Sequence, residues 1–523
     1  MDVLLLNPPP NDRSWYRAEH LGIAYLAAVL RQAGHTVHLL DSLLENLDVE
    51  QTYQTIKRRF GQIEVIGITA TESETIKSGM ALVRKLKRDG LDAHVTSGGY
   101  LPTFWSDELL RAYPEVDSVV VGEGEETLRH LVQALQQKTD LESVPGLVFR
   151  DKTGEIVHNP PRPLIQDLDQ LPFPARDYLA IAYQKYHHAL VYASRGCYHR
   201  CSFCQIAQFY RLSPGGPYRT RSAKNIANEI EILVNEHGVR SIFFADDEFI
   251  TESKQRKRII EELIEQIRKR KLDFSFSIQY RADTGAHEPL LRALNEVGLR
   301  TVFIGVESGV ESVLERFEKG ISKADIDKAL QVVRDLDLNL IPGYMLYNPD
   351  TTFEELKESV EYLLSPASPM IQDLHGMNLL KGTAEEQSLR QRNLVRERDF
   401  RISYRVQDTK VAAFVDWLRR YYQLYRPIVL NVYELLFLLV DLPKEVLSEM
   451  KLMEARIRDL HHQFLSRAID RLSQDRLDDE IPLDDLRVAY ESLSVETQRL
   501  VARGRESVTK TRGLSGESRH AGI

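Results

Sequence analysis

The sequence predicts an α/β fold with a helical C-terminal domain, and three observations support this class. Short β-rich apolar runs alternate with amphipathic stretches over residues 1–140 and again over residues 186–385, a pattern typical of parallel sheets covered by helices. A proline-rich segment, residues 160–177, separates the two series. After about residue 382 the β signal fades and long amphipathic stretches follow. At 523 residues the chain also exceeds the ~250–300 residues of one hydrophobic core.

The first series predicts a doubly wound parallel sheet with strands DVLLLN, TVHLLD, VIGITA, AHVTSGG and DSVVVG. Ligands of such sheets bind beyond the carboxyl ends of the strands. Small and polar residues follow those ends here, and glycine lets the backbone approach a large ligand. The candidate binding residues are Asn7, Thr69, Thr71, Ser73, Ser97, Gly98, Gly99, Gly122, Glu123, Gly124 and Glu125.

The second series predicts a parallel sheet that is curved or closed into a barrel, with strands near residues 189–194, 241–245, 274–280, 301–306 and 338–346. Residues 144–160 predict a hairpin. We therefore expect domains at 1–140 and 186–385, joined by a hairpin and linker at 141–185, then helices at 386–504 and a disordered tail at 505–523.

Composition excludes several classes of partner. The formal net charge is −9 with acidic and basic residues interleaved, so we expect no nucleic acid partner. No run approaches the ~18 apolar residues of a membrane span. The N-terminus has no basic leader or cleavage site of a signal peptide, so we expect a cytoplasmic protein.

All three cysteines of the chain lie within eight positions, in the segment SRGCYHRCSFC that follows a predicted strand. Three thiols at CxxxCxxC spacing suit a metal cluster in a reducing compartment better than disulfides. A cubane held by Cys197, Cys201 and Cys204 leaves one iron open to a ligand. The alternative is a zinc site completed by His199, although zinc fingers favour paired CxxC knuckles.

This segment resembles the radical S-adenosylmethionine superfamily, whose CxxxCxxC motif has an aromatic residue before the last cysteine, as Phe203 is here. The resemblance implies a [4Fe-4S] cluster whose open iron binds S-adenosylmethionine and cleaves it to a 5'-deoxyadenosyl radical. It also implies contacts with S-adenosylmethionine at the ends of the following strands. The matching residues are Phe203, Asp246, Asp247, Gln279, Arg281, Glu307 and Gly343.

The N-terminal domain resembles the cobalamin-binding domain that precedes one large class of this superfamily. The matching segments are LGIAYLAAVLRQAGH at 21–35, SGG at 97–99, GEGEE at 122–126 and LPFPARD at 171–177. The resemblance implies cobalamin as a cofactor and makes the sheet-end residues its predicted contacts. The DxHxxG motif that supplies a histidine to cobalt is absent, so we expect cobalamin without a protein histidine below it.

The predicted function is methylation of an unactivated carbon of a small molecule or peptide, with methylcobalamin and a 5'-deoxyadenosyl radical. A reducing partner such as flavodoxin or ferredoxin would supply electrons. The chain has no fourth cysteine, which excludes an auxiliary cluster and methylthiolation. Two alternatives stay open: an oxidative cyclase or ring-rearrangement enzyme without net methyl transfer, and a non-catalytic cobalamin or redox sensor.

Overall fold

The computed structural model describes residues 1–9, 18–283, 287–365, 374–438, 442–476 and 483–511. It contains an N-terminal domain with a mostly parallel sheet, a second domain with a parallel sheet, and a helical C-terminal region. The fold class predicted from the sequence is confirmed.

The N-terminal sheet has the strand order β2-β1-β3-β4-β5-β6-β7, with β1 to β5 parallel and β6 and β7 antiparallel. Its elements are β1 (Asp2–Asn7), α1 (Leu21–Gln32), β2 (Thr36–Asp41), α2 (Val49–Arg59), β3 (Val65–Thr69), α3 (Ser73–Arg88), β4 (His94–Gly98), α4 (Tyr100–Phe104), α5 (Ser106–Ala112), β5 (Ser118–Val120), α6 (Glu125–Gln137), β6 (Leu147–Arg150) and β7 (Ile156–His158).

Successive side chains of the strands enter two hydrophobic cores, one on each face of this sheet. Leu4 and Leu6 pack with α2, α3 and α5, whereas Val3 and Leu5 pack with α1 and α6. This alternation is the two-residue period of a strand that is covered on both faces. The carboxyl ends of β1 to β5 consequently meet at one edge of the sheet.

The hairpin β6–β7 differs from the sequence prediction, which grouped it with the linker. It pairs with β5 and extends the N-terminal sheet. The physical reason is burial: Val148 enters the core on one face, and Leu147 and Phe149 enter the core on the other.

The second sheet has the order β14-β13-β12-β11-β8, and all its pairings are parallel. Among the described residues its outer strands, β8 and β14, do not pair with each other. Its elements are α7 (Leu179–Tyr186), β8 (Ala189–Val191), β9 (Ser194–Arg195), α8 (Gln205–Phe209), β10 (Arg219–Thr220), α9 (Ala223–Asn235), β11 (Ser241–Phe244), α10 (Lys254–Arg270), β12 (Ser275–Arg281), α11 (Glu288–Glu296), β13 (Leu299–Glu307), α12 (Glu311–Arg316), α13 (Lys323–Asp335), β14 (Asn339–Tyr344) and α14 (Phe353–Leu364).

The C-terminal region packs on the second domain in one continuous core. Its elements are α15 (Ala384–Gln391), the hairpin β15 (Val395–Arg398) and β16 (Arg401–Tyr404), α16 (Thr409–Leu438), α17 (Lys444–Ser473) and α18 (Asp484–Thr511). The sequence did not predict the hairpin. Among the helices that the structure describes, none combines the length and apolar composition needed to cross a bilayer.

Two helices of this region differ from the sequence pattern. A proline inside a helix normally interrupts it, but α16 runs through Pro427 because Tyr421, Tyr425 and Ile428, on both sides of the proline, are fully buried in one core. Helix α18 continues to Thr511, past the expected boundary at 504. Just before that boundary, Arg503 pairs with Glu449 of α17 at 2.7 Å. Residues 512–523 of the expected tail lie outside the described residues.

Candidate functional site

The cysteine loop begins at the carboxyl end of β8. The short strand β9 pairs with β10, and Gly196 follows it with φ of +84°. A Cβ atom at Gly196 would lie 1.8 Å from the carbonyl oxygen of Pro217, which no side chain allows. Glycine is therefore required at the turn that directs Cys197 and the following thiols toward the sheet edge.

Two acidic residues after β11 hold this loop in place. The Asp246 carboxylate, fully buried, accepts hydrogen bonds from the Ala193 amide at 3.0 Å and from the Ser194 hydroxyl. The Asp247 carboxylate accepts the Gly196 amide at 2.9 Å, and burial raises its pKa to about 6. Both side chains support the loop, and their predicted contacts with S-adenosylmethionine stay predictions.

The three thiols are free, with Cys201 buried and Cys197 and Cys204 half-buried. Arg281 Nη1 lies 3.5 Å from Cys201 Sγ. Burial opposes the charged form of Lys319, but Glu307 and, to a smaller extent, Cys201 raise the pKa of its ammonium group. Cations beside a thiol favour the thiolate that ligates iron. Within the described residues, no three His, Cys, Asp or Glu side chains form a site for a single metal ion. A loop of three free thiols beside the buried cations Arg281 and Lys319 fits an iron–sulfur cluster.

A third acid of the same run, Glu248, was not among the predicted site residues. Its Oε2 lies 3.2 Å from Cys197 Sγ and 3.6 Å from His199 Nε2, whereas its buried Oε1 has no hydrogen-bond partner among the described residues. Burial raises the pKa of Glu248 to about 7. The only signal in the sequence was its place in the acidic run FADDEF, and that run does not tell which of its three acids faces the thiols.

Arg281 and Glu307, predicted at the ends of β12 and β13, are connected through Lys319, and Arg281 lies beside Cys201. Glu307 Oε1 accepts a hydrogen bond from Lys319 Nζ at 2.6 Å, and Arg281 donates to the Lys319 carbonyl oxygen. Glu307 has φ of 64°, in the left-handed region, a strained conformation that is concentrated at functional sites. A Cβ atom at Gly305 would lie 2.6 Å from Glu307 Oε1, so the pair depends on glycine at this position.

The other predicted S-adenosylmethionine residues surround the same sheet edge. Gln279 donates its amide to the Asp246 carbonyl oxygen. The Phe203 ring lies edge-on to Phe317, with centroids 5.0 Å apart. A Cβ atom at Gly343 would lie 2.9 Å from the Phe303 ring. Their contacts with S-adenosylmethionine stay predictions.

A cavity of about 550 Å³ lies between the carboxyl edge of the N-terminal sheet and the second domain; we call it the sheet-end cavity. Ten of the eleven predicted binding residues line it. The exception is Ser73, whose hydroxyl donates to the Asp399 carbonyl oxygen at 2.6 Å and which lines a different cavity. The second domain contributes Leu190, Tyr192, Ser194, Arg195, Phe209, Tyr210 and Asp247.

Two of the predicted contacts use their side chains elsewhere. Asn7 donates to Asp41 Oδ1 at 3.1 Å, and Ser97 donates to the Ile68 carbonyl oxygen at 3.1 Å. His20 also lines the cavity. Its Nε2 lies 3.2 Å from Thr69 Oγ1, its Nδ1 accepts the Ile23 amide at 3.4 Å, and burial lowers its pKa. His20 is therefore a neutral wall residue whose two ring nitrogens are both engaged.

Buried ion pairs close the rim of the sheet-end cavity. Glu123 pairs with Arg195 at 3.2 Å and Arg219 at 2.9 Å, and Glu125 pairs with Arg195 at 2.6 Å. Each of these side chains is at most 11% exposed. The two glutamates thus bind the N-terminal domain to the cysteine-bearing domain, and their predicted contacts with cobalamin stay predictions.

A second cavity, of about 1410 Å³, is lined by the loop at 71–73, residues 374–381, the hairpin β15–β16 and one face of α16. It shares Thr71 and Glu72 with the sheet-end cavity. It also reaches Gln205, the residue after Cys204, whose amide donates to the Lys381 carbonyl oxygen at 2.9 Å. This cavity was not predicted, because its walls carry no motif and come together only in the folded chain.

We call this second space the basic cavity because of its lining. Six cations line it against two acids, Glu72 and Asp416. The cations are Lys381, Arg396, Arg401, Arg405, Arg419 and Arg426. Five aromatic side chains complete it: Trp105, Tyr347, Phe400, Tyr404 and Tyr422.

These features define an iron–sulfur enzyme class in which a three-thiol loop faces a second cofactor cavity. Residues 14–132 match the family model described as B12 binding domain, and residues 191–363 match the model of the radical SAM superfamily. The chain therefore belongs to the radical S-adenosylmethionine superfamily, in the class that carries a B12-binding domain. Its cofactors are cobalamin, a [4Fe-4S] cluster and S-adenosylmethionine.

Similar proteins of known sequence include enzymes with different outcomes. The chain is 31% identical to an uncharacterized methyltransferase of Pyrococcus horikoshii over 69% of this chain and 77% of that protein. It is 29% identical to the anaerobic magnesium-protoporphyrin IX monomethyl ester cyclase of Rubrivivax gelatinosus over 64% of this chain and 60% of that protein. It is 27% identical to the hopanoid C-3 methylase of Methylococcus capsulatus, over 67% and 65% of the two chains.

Solved structures share the fold. The cobalamin-dependent S-adenosylmethionine radical enzyme OxsB with aqua-cobalamin bound superposes with a TM-score of 0.76 at 18% identity, over 98% of this chain and 80% of that chain. The radical S-adenosylmethionine methyltransferase TsrM of Kitasatospora setae, with cobalamin and [4Fe-4S] cluster bound, superposes with a TM-score of 0.63 at 19% identity, over 75% and 78%.

Proposed function

We propose that this enzyme methylates an unactivated carbon of a small molecule or peptide held in the basic cavity. The observation that carries the proposal is the position of this cavity, which shares Thr71 and Glu72 with the sheet-end cavity and reaches Gln205 beside Cys204. A substrate there would lie next to both cofactor regions. Reaction between bound groups requires this proximity, since positioning alone can lower a barrier by about 7–11 kcal/mol.

When bound, the reduced cluster supplies the electron that cleaves S-adenosylmethionine, and cobalamin carries the methyl group. The chain's own residues keep these components in place. Cys197, Cys201 and Cys204 would hold the cluster, and Arg281 and Lys319 would balance its negative charge.

The N-terminal domain would hold cobalamin in the sheet-end cavity, against the glycines at the ends of β4 and β5. Glu123 and Glu125 form buried ion pairs with Arg195, which lies two residues before Cys197. These pairs connect the wall of the sheet-end cavity to the cysteine loop. Because these side chains are nearly inaccessible, they also exclude water from the boundary between the two cofactor regions. Exclusion of water protects reactive intermediates from side reactions.

The relatives favour methylation but also support the alternative. The methyltransferase of Pyrococcus horikoshii and the hopanoid C-3 methylase support methyl transfer. The cyclase of Rubrivivax gelatinosus, at 29% identity, supports oxidative ring closure without net methyl transfer. Both reactions would use the same cofactor regions, so analysis of the reaction products is needed to distinguish methyl transfer from ring closure.

The deciding experiment is anaerobic purification with cobalamin supplied, followed by cluster reconstitution and reduction by dithionite or by flavodoxin. Mass spectrometry then measures bound corrinoid, S-adenosylhomocysteine and 5'-deoxyadenosine. Both nucleoside products together with bound corrinoid are the expected result of methylation. Formation of 5'-deoxyadenosine alone would favour the cyclase alternative, and absence of both products would overturn the enzymatic proposal.

A further inference from the structure

The basic cavity has a charge opposite to that of the whole chain. The protein carries a formal net charge of −9, whereas the cavity lining holds six cations and two acids. A local excess of one sign in a concave surface concentrates ligands of the opposite sign. The lining therefore contains information about the substrate that the cofactor motifs do not.

Two of these cations have no acidic partner. Lys381 pairs with Glu108, Arg401 pairs with Glu74, and Arg419 pairs with Asp416. Arg396 and Arg405, by contrast, form no ion pair or side-chain hydrogen bond within the part of the chain that the structure describes.

Arg396 and Arg405 also lie on the same face of the hairpin. Arg396 is opposite Ser403, and the Arg405 amide continues the ladder by donating to the Leu394 carbonyl oxygen. Side chains in such diagonal positions are ~7–8 Å apart. Both side chains are exposed, so each guanidinium group is accessible to an anionic ligand.

Aromatic side chains form another part of the basic cavity. Lys381 Nζ lies 3.8 Å from the centroid of the Trp105 ring, and the centroids of the Trp105 and Phe400 rings are 5.5 Å apart. Tyr347, Tyr404 and Tyr422 line the same cavity. Aromatic rings bury large apolar area and prefer flat or apolar ligands.

We propose that the substrate of this enzyme is a large amphipathic anion, with an apolar or aromatic body and one or more carboxylate or phosphate groups held by Arg396 and Arg405. The cavity volume of about 1410 Å³ exceeds the ~300–1,000 Å³ of ordinary ligand pockets, which fits a large ligand. This inference rests on the proposed function, since it assigns the basic cavity to the substrate.

The test uses the full-length protein and two fluorescent probes with the same ring, pyrenebutyrate and pyrenebutanol. Fluorescence anisotropy measures the binding of each to wild type and to the double variant Arg396→Glu, Arg405→Glu. Exposed ion pairs contribute about 0.2–1 kcal/mol each, and reversal of two charges also adds repulsion. We expect pyrenebutyrate to bind about tenfold more weakly, which is ~1.4 kcal/mol, and pyrenebutanol to bind as to wild type.

The matched control is Arg258→Glu, Arg487→Glu, which changes the net charge equally at two exposed arginines outside both cavities. It should leave both probes unaffected. Added salt should weaken pyrenebutyrate binding to wild type and not pyrenebutanol binding, a measurement that does not depend on whether a variant folds. Equal salt dependence for the two probes, or equal loss in the control variant, would overturn the inference.

Cleavage of S-adenosylmethionine by the same reduced preparations separates this inference from the proposed function. If wild type forms 5'-deoxyadenosine but discriminates neither probe, the anionic substrate class is wrong and the enzyme assignment stands. If no 5'-deoxyadenosine forms, the proposed function fails whatever the probes show.

Discussion

The sheet-end cavity and the basic cavity meet at Thr71 and Glu72 but are built in different ways. The first is formed by the ends of parallel strands and closed by buried ion pairs between two domains. The second is formed by a hairpin, a loop and one helix, and it presents exposed arginines. The comparison separates the cavity that the strand ends of the fold create from the cavity that we propose for the substrate.

The largest expected effect concerns the thiol loop that serves both cavities. Cys201→Ala removes the buried thiol beside Arg281, and a cluster held by two thiols should not persist. We expect loss of bound iron and of 5'-deoxyadenosine formation, measured by iron analysis and mass spectrometry. Corrinoid binding should remain, because the sheet-end cavity has no wall at Cys201. Loss of corrinoid together with iron would show that the two cofactor sites are not independent.

The next effect tests whether ion pairs hold the sheet-end cavity closed. Glu123→Gln removes the carboxylate that pairs with Arg219. The Nε and Nη2 atoms of Arg219 already have no hydrogen-bond partner among the described residues, so its buried charge would lose its main compensation. Removal of one member of a buried ion pair costs about 3–5 kcal/mol. Chemical denaturation and corrinoid binding should both show the loss.

The matched control for Glu123→Gln is Glu126→Gln, a few residues along the chain. Glu126 pairs with Arg129 at the start of α6, where both side chains are about one-third exposed. Exposed pairs contribute about 0.2–1 kcal/mol, so this change should be small. If the two variants lose equal stability, burial of the rim pairs does not explain their role.

The sheet-end cavity was predictable because its residues follow a regular pattern. Strands in a parallel sheet bring their carboxyl ends to one edge, so Ser97 and Gly122 could be placed together without knowledge of packing. The thiols could be placed on one loop because the CxxxCxxC motif spans only eight residues directly after a predicted strand. Ser73 was predicted wrongly as a wall of this cavity because it is the first residue of α3 and its hydroxyl faces the hairpin β15–β16.

The roles of the acidic run could not be predicted. A carboxylate at the end of a strand can accept hydrogen bonds from its own loop or face a ligand, and the sequence is the same in both cases. Asp246 and Asp247 do the first, and Glu248 lies beside Cys197. The basic cavity was hidden for another reason: Trp105 and Phe400 are almost 300 positions apart and meet only in the folded chain.

A pH dependence tests the residues that support the sheet-end cavity. Asp41, which holds Asn7 at the end of β1, is 1% exposed, and burial raises its pKa to about 6 from 3.8. A raised carboxyl pKa means that the fold favours the protonated form. Its stabilising contribution is present below about pH 4 and is lost as the pH rises through 6.

Asp41→Asn keeps the hydrogen-bond acceptor and removes the titration. Stability of this variant relative to wild type should therefore rise by up to about 3 kcal/mol between pH 4 and pH 7, at 1.36 kcal/mol for each pKa unit. Urea denaturation at several pH values measures this difference. A difference that stays constant with pH would contradict the buried, titrating state of Asp41.

The smallest expected effect tests the depth of the sheet-end cavity. A Cβ atom at Gly98 would lie 3.5 Å from Val120 Cβ, an ordinary contact, so Gly98→Ala should bind hydroxocobalamin as wild type does. Gly98→Leu adds three more carbons at the cavity wall, and overpacking costs about 1–3 kcal/mol. We expect affinity for hydroxocobalamin in equilibrium dialysis to fall about tenfold, while pyrenebutyrate binding in the basic cavity is unchanged. Since the cavities share only their Thr71 and Glu72 wall, loss of both ligands would mean that they are one continuous site rather than two.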